Sequence, residues 1–193
     1  MKRTGYIYEK IYDIENIKLA IKNASKGKRS RKDVRYVLNN SDVCIQNIQQ
    51  ILIKQSYTPS PYKKKTIKDG ISKKERIIYI PKFYPDQIIQ WALLQQIQPY
   101  LYKGMYNFTC GSIPYRGISY GKRYLEKWLH NDRKHTKYCL KLDIHHFYSS
   151  INQNCLKQMF RNKFKDKKLL HLIDLMIDSG ENGLPIGNVT SQW

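Results

Sequence analysis

Lys141-Leu142-Asp143-Ile144-His145-His146-Phe147-Tyr148-Ser149-Ser150-Ile151 is the stretch on which the reading of the fold turns. With the residues just before it, its first half predicts a strand over 138–144. Tyr138, Leu140 and Leu142 fall on one face and Cys139, Lys141 and Asp143 on the other. A carboxylate at the C-terminal end of such a strand, followed by tight backbone, can face a cleft where a cation meets phosphate oxygens. Magnesium suits that corner, because it takes only one or two protein carboxylates and completes its octahedron with phosphate and water. A strand-end Asp is also a common helix cap, so Asp143 in isolation does not define a site. His145 and His146 are neighbours on extended chain and point to opposite faces, which argues against their chelating one ion. Ordinary polar or packing roles are expected of both.

Downstream, helices are predicted over 152–163 and 167–177. In the second, His171, Asp174 and Asp178 share one face by their three- and four-residue spacing. Leu169, Leu172, Ile173 and Met176 take the other, the pattern of a surface helix with a solvated polar side. Gly180, Gly183, Pro185 and Gly187 then form a glycine-rich loop. Upstream, residues 10–25 and 41–56 read as helices, and the prolines at 59 and 61 mark a linker. Residues 66–70, with an Asp69-Gly70 turn signal, and the β-forming run 76–80 predict a hairpin closed by Pro81. A helix follows over 86–101, irregular chain over 106–118, and a short helix over 119–130. The whole predicts a mixed α+β chain without internal repeats.

The composition limits what such a chain can do. Its 193 residues are enough for one well-buried domain or two small ones, and 41% hydrophobic content supplies a core. The formal net charge is +20, with twenty Lys/Arg and seven Asp/Glu in residues 1–82 against fifteen and eight in 83–193. A field of that sign concentrates polyanions. The clusters at Lys28, Arg29 and Arg31 and at Lys63, Lys64 and Lys65 alternate with Tyr6, Tyr8, Tyr12, Tyr57 and Tyr62. Lysines meet phosphates and tyrosines stack on bases, the combination that suits single-stranded nucleic acid. No run approaches the length of a membrane span, and Lys2-Arg3 is followed by no apolar signal core. Cys44, Cys110, Cys139 and Cys155 are scattered without a C-x-x-C pair, so neither a disulfide framework nor zinc is expected. A cytoplasmic protein with no membrane partner is the expectation.

Three segments read together resemble one family. Arg76-Ile77-Ile78-Tyr79-Ile80-Pro81 followed by Asp86-Gln87-Ile88-Ile89-Gln90-Trp91-Ala92-Leu93 is similar to the fingers motif of bacterial reverse transcriptases. Leu142-Asp143-Ile144 with Phe147-Tyr148 and Ser150-Ile151 resembles their first catalytic motif. The stretch from Gly183 to Gln192, GLPIGNVTSQ, resembles the glycine-proline motif of the nucleotide pocket. Order and separations fit over residues 66–193. Pro185-Ile186-Gly187 replaces the commoner Pro-Gln-Gly, and Ser191-Gln192 the commoner Ser-Pro, a variant similar to the enzymes of diversity-generating retroelements. Loss of the glutamine at Ile186 implies looser base selection.

The resemblance implies a right-hand polymerase fold with a basic helical extension over 1–60 and fingers over 61–105. It implies a first palm segment over 106–148, and a helical segment over 149–193 that ends in the glycine-proline motif. It implies RNA-templated DNA synthesis by two-metal nucleotidyl transfer, with an RNA template, a DNA primer, deoxynucleoside triphosphates and magnesium, or manganese in its place. An accessory protein is compatible with it. By match, Asp143 and the Ile144 carbonyl would hold metal. Lys68, Arg76, His146, Phe147, Tyr148, Ile186 and Gly187 would meet the nucleotide, with the Tyr148 ring against the ribose 2′ position. The 193 residues contain no Tyr-x-Asp-Asp, the family's source of further carboxylates. The expectation is therefore an N-terminal portion of such an enzyme, inactive alone. The competing expectations are a catalytically inactive nucleic-acid-binding module of the same fold and a basic RNA-associated structural protein.

Overall fold

A computed structural model describes residues 3–68 and 75–192, and the Asp69-Gly70 turn signal lies outside the described residues. The chain is a mixed α+β protein in which helices carry most of the core. It divides into two compact units, Met1–Pro99 with His146–Trp193, and Tyr100–His145.

The first unit is built on amphipathic helices. After the short α1 (Tyr8–Ile11), the Asp13 carboxylate accepts from the Glu15 and Asn16 amides and starts α2 (Ile14–Ala24). Ile17, Ala20, Ile21 and Ala24 recur at helical spacing and are buried. The predicted helix over 10–25 is thus split at Asp13, because a carboxylate that caps one helix interrupts the one before it. The helix α3 (Lys32–Asn39) was not predicted: it buries only Val34 and Val37 within a strongly basic run. The following α4 (Ser41–Ile53) buries Cys44, Ile45, Ile48 and Leu52. Strands β1 (Lys63–Lys68) and β2 (Glu75–Ile80) form the expected antiparallel hairpin, with Lys63 opposite Ile80 and Lys64 opposite Tyr79. The segment Phe83–Gln87, kinked at Tyr84 with its extended backbone, then feeds α5 (Ile88–Tyr102), whose Ile88, Ile89, Leu93 and Leu94 lie in the core.

A buried amide network ties α2 to α5. Asn16 Nδ2 donates to the Ile11 and Ala92 carbonyls, and its Oδ1 accepts from Gln95 and Gln96. Every buried polar atom of Asn16 is thereby satisfied, which fixes the pairing of these helices more specifically than apolar contact does. After the short α7 (Phe147–Ser150), Asn152 and Asp166 cap α8 (Gln153–Lys163) and α9 (Lys167–Asp178) through the Cys155 and Leu169 amides. Asp166 also accepts from the Ile7 and Tyr8 amides at 3.0 and 2.9 Å, so one carboxylate holds two helix starts. The polar face of α9 is not simply solvated: Asp174 pairs with Arg161 at 2.5 Å and Asp178 with Lys157 at 2.5 Å, clamping α8 to α9.

The second unit contains α6 (Ile118–Asn131) and irregular chain, and none of residues 100–145 is buried. Phe108 meets Tyr124 and Trp128 edge-on at 5.1 and 4.5 Å, and the Arg123 guanidinium lies over the Tyr120 and Tyr124 rings. The strand predicted over 138–144 does not form. Tyr138, Leu140 and Leu142 are 96%, 82% and 81% exposed. Alternating side chains make a strand only where another strand takes up the backbone N–H and C=O groups. Among the described residues the β1–β2 hairpin is the one such ladder.

Candidate nucleic-acid interface

The glycine-proline loop is held to two distant segments of the first unit. The Leu184 amide donates to the Tyr148 carbonyl at 2.8 Å, and the Tyr79 amide donates to the Ile186 carbonyl at 2.7 Å. Glycine is required at both junctions. Gly183 (φ +61°) would place a Cβ 2.0 Å from the Tyr148 oxygen, and Gly187 (φ +128°) would place one 2.2 Å from the Tyr79 oxygen. The Gln153 amide donates to the Ile177, Gly180 and Gly183 carbonyls at 3.0, 3.1 and 2.8 Å, anchoring the start of the loop to α8 and α9.

A hydrogen-bond chain continues beneath the loop. Buried Asn188 donates from Nδ2 to the Tyr62 hydroxyl at 2.7 Å, which shares a 2.7 Å bond with Ser179. The Val189 amide donates to Gln90 at 3.3 Å. Asn188 Oδ1 is buried with no partner among the described residues, as is Asp86 Oδ2. The other Asp86 oxygen accepts from the Tyr57 hydroxyl at 2.9 Å and the Ser60 amide at 3.3 Å. Burial, then the neighbouring Asp86 charge, pushes the Tyr57 phenol far above its ordinary range.

Between hairpin, loop and α5 lies a recess of about 300 Å³, lined by Lys28, Tyr79, Gln87, Gln90, Trp91 and Asn188 among others. Lys28 reaches in from the turn between α2 and α3 and donates to Gln87 Oε1 at 2.7 Å. Desolvation, then the Arg31 charge, holds its ammonium below the usual lysine range. A cation kept partly out of water in this way gains from an anion that replaces its lost hydration.

The residues singled out from the sequence fall in several places. Tyr79, Gly187 and Lys28 meet at the recess, and Ile186 is tied to it by the bond its carbonyl accepts from the Tyr79 amide. Tyr148 joins them through the loop, and its ring packs edge-on against Phe147 at 5.3 Å. His146 (φ +51°) opens α7, its carbonyl accepting from Ser149 and Ser150. Lys68 forms an exposed ion pair with Glu75 at 3.2 Å, and Arg76 stands exposed on β2 opposite Ile67. Lys64 pairs with Glu181 at 2.7 Å and lies over the Tyr79 ring, while Lys63, Lys65 and Arg29 are exposed. Arg31 pairs with Asp33 at 2.5 Å. Asp143 and Ile144 belong to the second unit, where both are exposed.

Among the described residues no group of three or more His, Cys, Asp or Glu could hold a metal ion. Asp143 offers one carboxylate, which does not by itself make a two-ion site. The described residues also contain no helix long and apolar enough to cross a membrane. The roles of Asp86, Asn188, Gln153 and Trp91 were not read from the sequence as site chemistry. For Asp86 and Trp91 the signal was present, since both lie inside the motif that begins at Asp86. No protein-family model matches the chain, and no curated protein matches it.

Proposed function

We propose that the chain is part of a reverse transcriptase that copies RNA into DNA, with a right-hand polymerase fold in which the β1–β2 hairpin belongs to the fingers. The observation that carries the reading is the convergence at the glycine-proline loop. Residues 183–188 bond to Tyr79 of the hairpin and to Tyr148 of the Asp143 motif, segments about 40 to 110 positions away in the chain. These are the segments whose order and spacing resemble the family, and the hairpin and loop that meet there line one recess. In this reading the recess receives the template–nucleotide pair and Tyr148 guards the sugar; by the motif match alone, Asp143 would be a magnesium ligand. Magnesium, when bound, activates the primer 3′-oxygen and supports the leaving pyrophosphate.

The second reading, a nucleic-acid-binding module without catalysis, is favoured by one observation. The basic recess is assembled within the first unit, and none of the residues that line it is a carboxylate. Primer extension separates the two. A protein joining this chain to a Tyr-x-Asp-Asp segment is expected to extend a DNA primer on RNA with magnesium, to lengths set by the template. Tight hybrid binding without any extension would favour the module, and an absence of binding would remove both.

A further inference from the structure

The recess beneath the glycine-proline loop does not stand alone. A second recess, of about 480 Å³, is lined by Tyr36, Lys63, Lys82 and Tyr84 and shares Arg31 and Pro81 with the first. The two make one groove between the segment from Lys28 to Tyr36 and the base of the hairpin. Four cations line it, Lys28, Arg31, Lys63 and Lys82. Its one carboxylate, Asp33, is engaged by Arg31 through Nε and Nη2 at 3.0 and 2.5 Å. The Lys28 and Arg31 amides bond back to the Ser25 and Lys28 carbonyls at 3.0 Å, so a hydrogen-bonded turn sets the positions of these cations. Rings stand at both ends: Trp91 half-buried at one, Tyr36 (63% exposed) and Tyr84 at the other.

We infer that this groove binds a run of single-stranded nucleic acid, its phosphates on Lys28, Arg31, Lys63 and Lys82 and its bases against Trp91, Tyr36 and Tyr84. Cations alternating with exposed rings match a chain that carries both phosphates and unpaired π-faces. A duplex hides the faces, and an acidic peptide lacks them. The inference rests on the nucleic-acid half of the proposed function and not on catalysis.

The test is the affinity of the 193-residue chain for a short labelled RNA over a series of salt concentrations, without magnesium or nucleotides. Each groove cation replaced by Gln should flatten the log–log salt slope by about 0.7, and the fourfold variant by about 2.8. Replacing Lys10, Lys22, Lys167 and Lys168 together should leave the slope nearly unchanged. Lys63→Gln with Lys82→Gln, both exposed, carries the test should the fourfold variant not fold, with an expected flattening of about 1.4. Tyr36→Ala should weaken binding about five- to 150-fold at an unaltered slope. A blunt duplex of equal length and polyglutamate should both compete poorly. Equal flattening by the distant set, full competition by duplex or polyglutamate, or an unchanged Tyr36→Ala affinity would each overturn the inference. A chain that binds through the groove, in a protein that never extends primers, keeps this inference and loses the proposed activity.

Discussion

Gly187→Ala probes the junction on which the interface depends. The substitution acts twice. At φ +128° an alanine is strained by about 1–3 kcal/mol, and its Cβ, 2.2 Å from the Tyr79 oxygen, forces loop and hairpin apart. That separation also breaks the 2.7 Å bond from the Tyr79 amide to Ile186, worth about 0.5–1.5 kcal/mol. The total is about 1.5–4.5 kcal/mol, or a fall in melting temperature of about 3–18 °C for a chain of this size. Gly27→Ala is the matched control. Gly27 has φ +70° and nothing within 4 Å of the added carbon, so it carries the milder strain of a left-handed backbone without the overlap. Urea unfolding of the two variants, with hydrogen exchange at the Tyr79 amide, measures the difference. If Gly187→Ala costs no more than Gly27→Ala, or the Tyr79 amide stays as protected as in the parent, the loop is not clasped to the hairpin as described.

Asp166→Ala should destabilise by about 2–3 kcal/mol in urea, because the Ile7, Tyr8 and Leu169 amides lose one charged acceptor; Asp166→Asn should recover part of the loss. The buried phenols predict alkaline sensitivity. Tyr8 is pushed up to about 12 by burial and Tyr57 is also raised, so the stability they contribute is complete below about pH 10 and falls as pH rises beyond it. Unfolding free energies between neutral pH and pH 12 should show that decline, and Tyr57→Phe should make it shallower. In a polymerase containing this chain, Tyr148→Val should admit ribonucleotides, read as the ratio of deoxy- to ribonucleotide incorporation; an unchanged ratio places the sugar gate elsewhere.

Local patterns made much of the fold legible. The 3.6-residue spacing of Ile17, Ala20, Ile21 and Ala24, and of Leu169, Leu172, Ile173 and Met176, marks helices whose apolar faces are buried. The β-forming run at 76–80 becomes β2. The strand over 138–144 fails for a non-local reason: alternation specifies which side chains share a face, whereas a ladder needs a second backbone. The opposite error hid α3, where Val34 and Val37 are too few to mark an apolar stripe among charges. At the site, the glycines and prolines of residues 180–187 announced a loop without naming what it touches. The Tyr62–Asn188 and Tyr57–Asp86 bonds join residues 126 and 29 positions apart. Periodicity cannot pair such residues, because each is a polar group taken out of water by partners distant in the chain.

The measurement that most directly tests the central claim pairs primer extension with binding for Asp143→Asn, in a protein joining this chain to a Tyr-x-Asp-Asp segment. Asp143 would hold metal at the reacting centre, and losing that contact costs several kcal/mol, roughly a thousandfold or more in rate. Binding rests on the groove cations Lys28, Arg31, Lys63 and Lys82, which the substitution leaves in place, and should change little. The account predicts that magnesium-dependent extension on RNA disappears while hybrid affinity stays near the parent value. Extension at close to the parent rate by Asp143→Asn would contradict it.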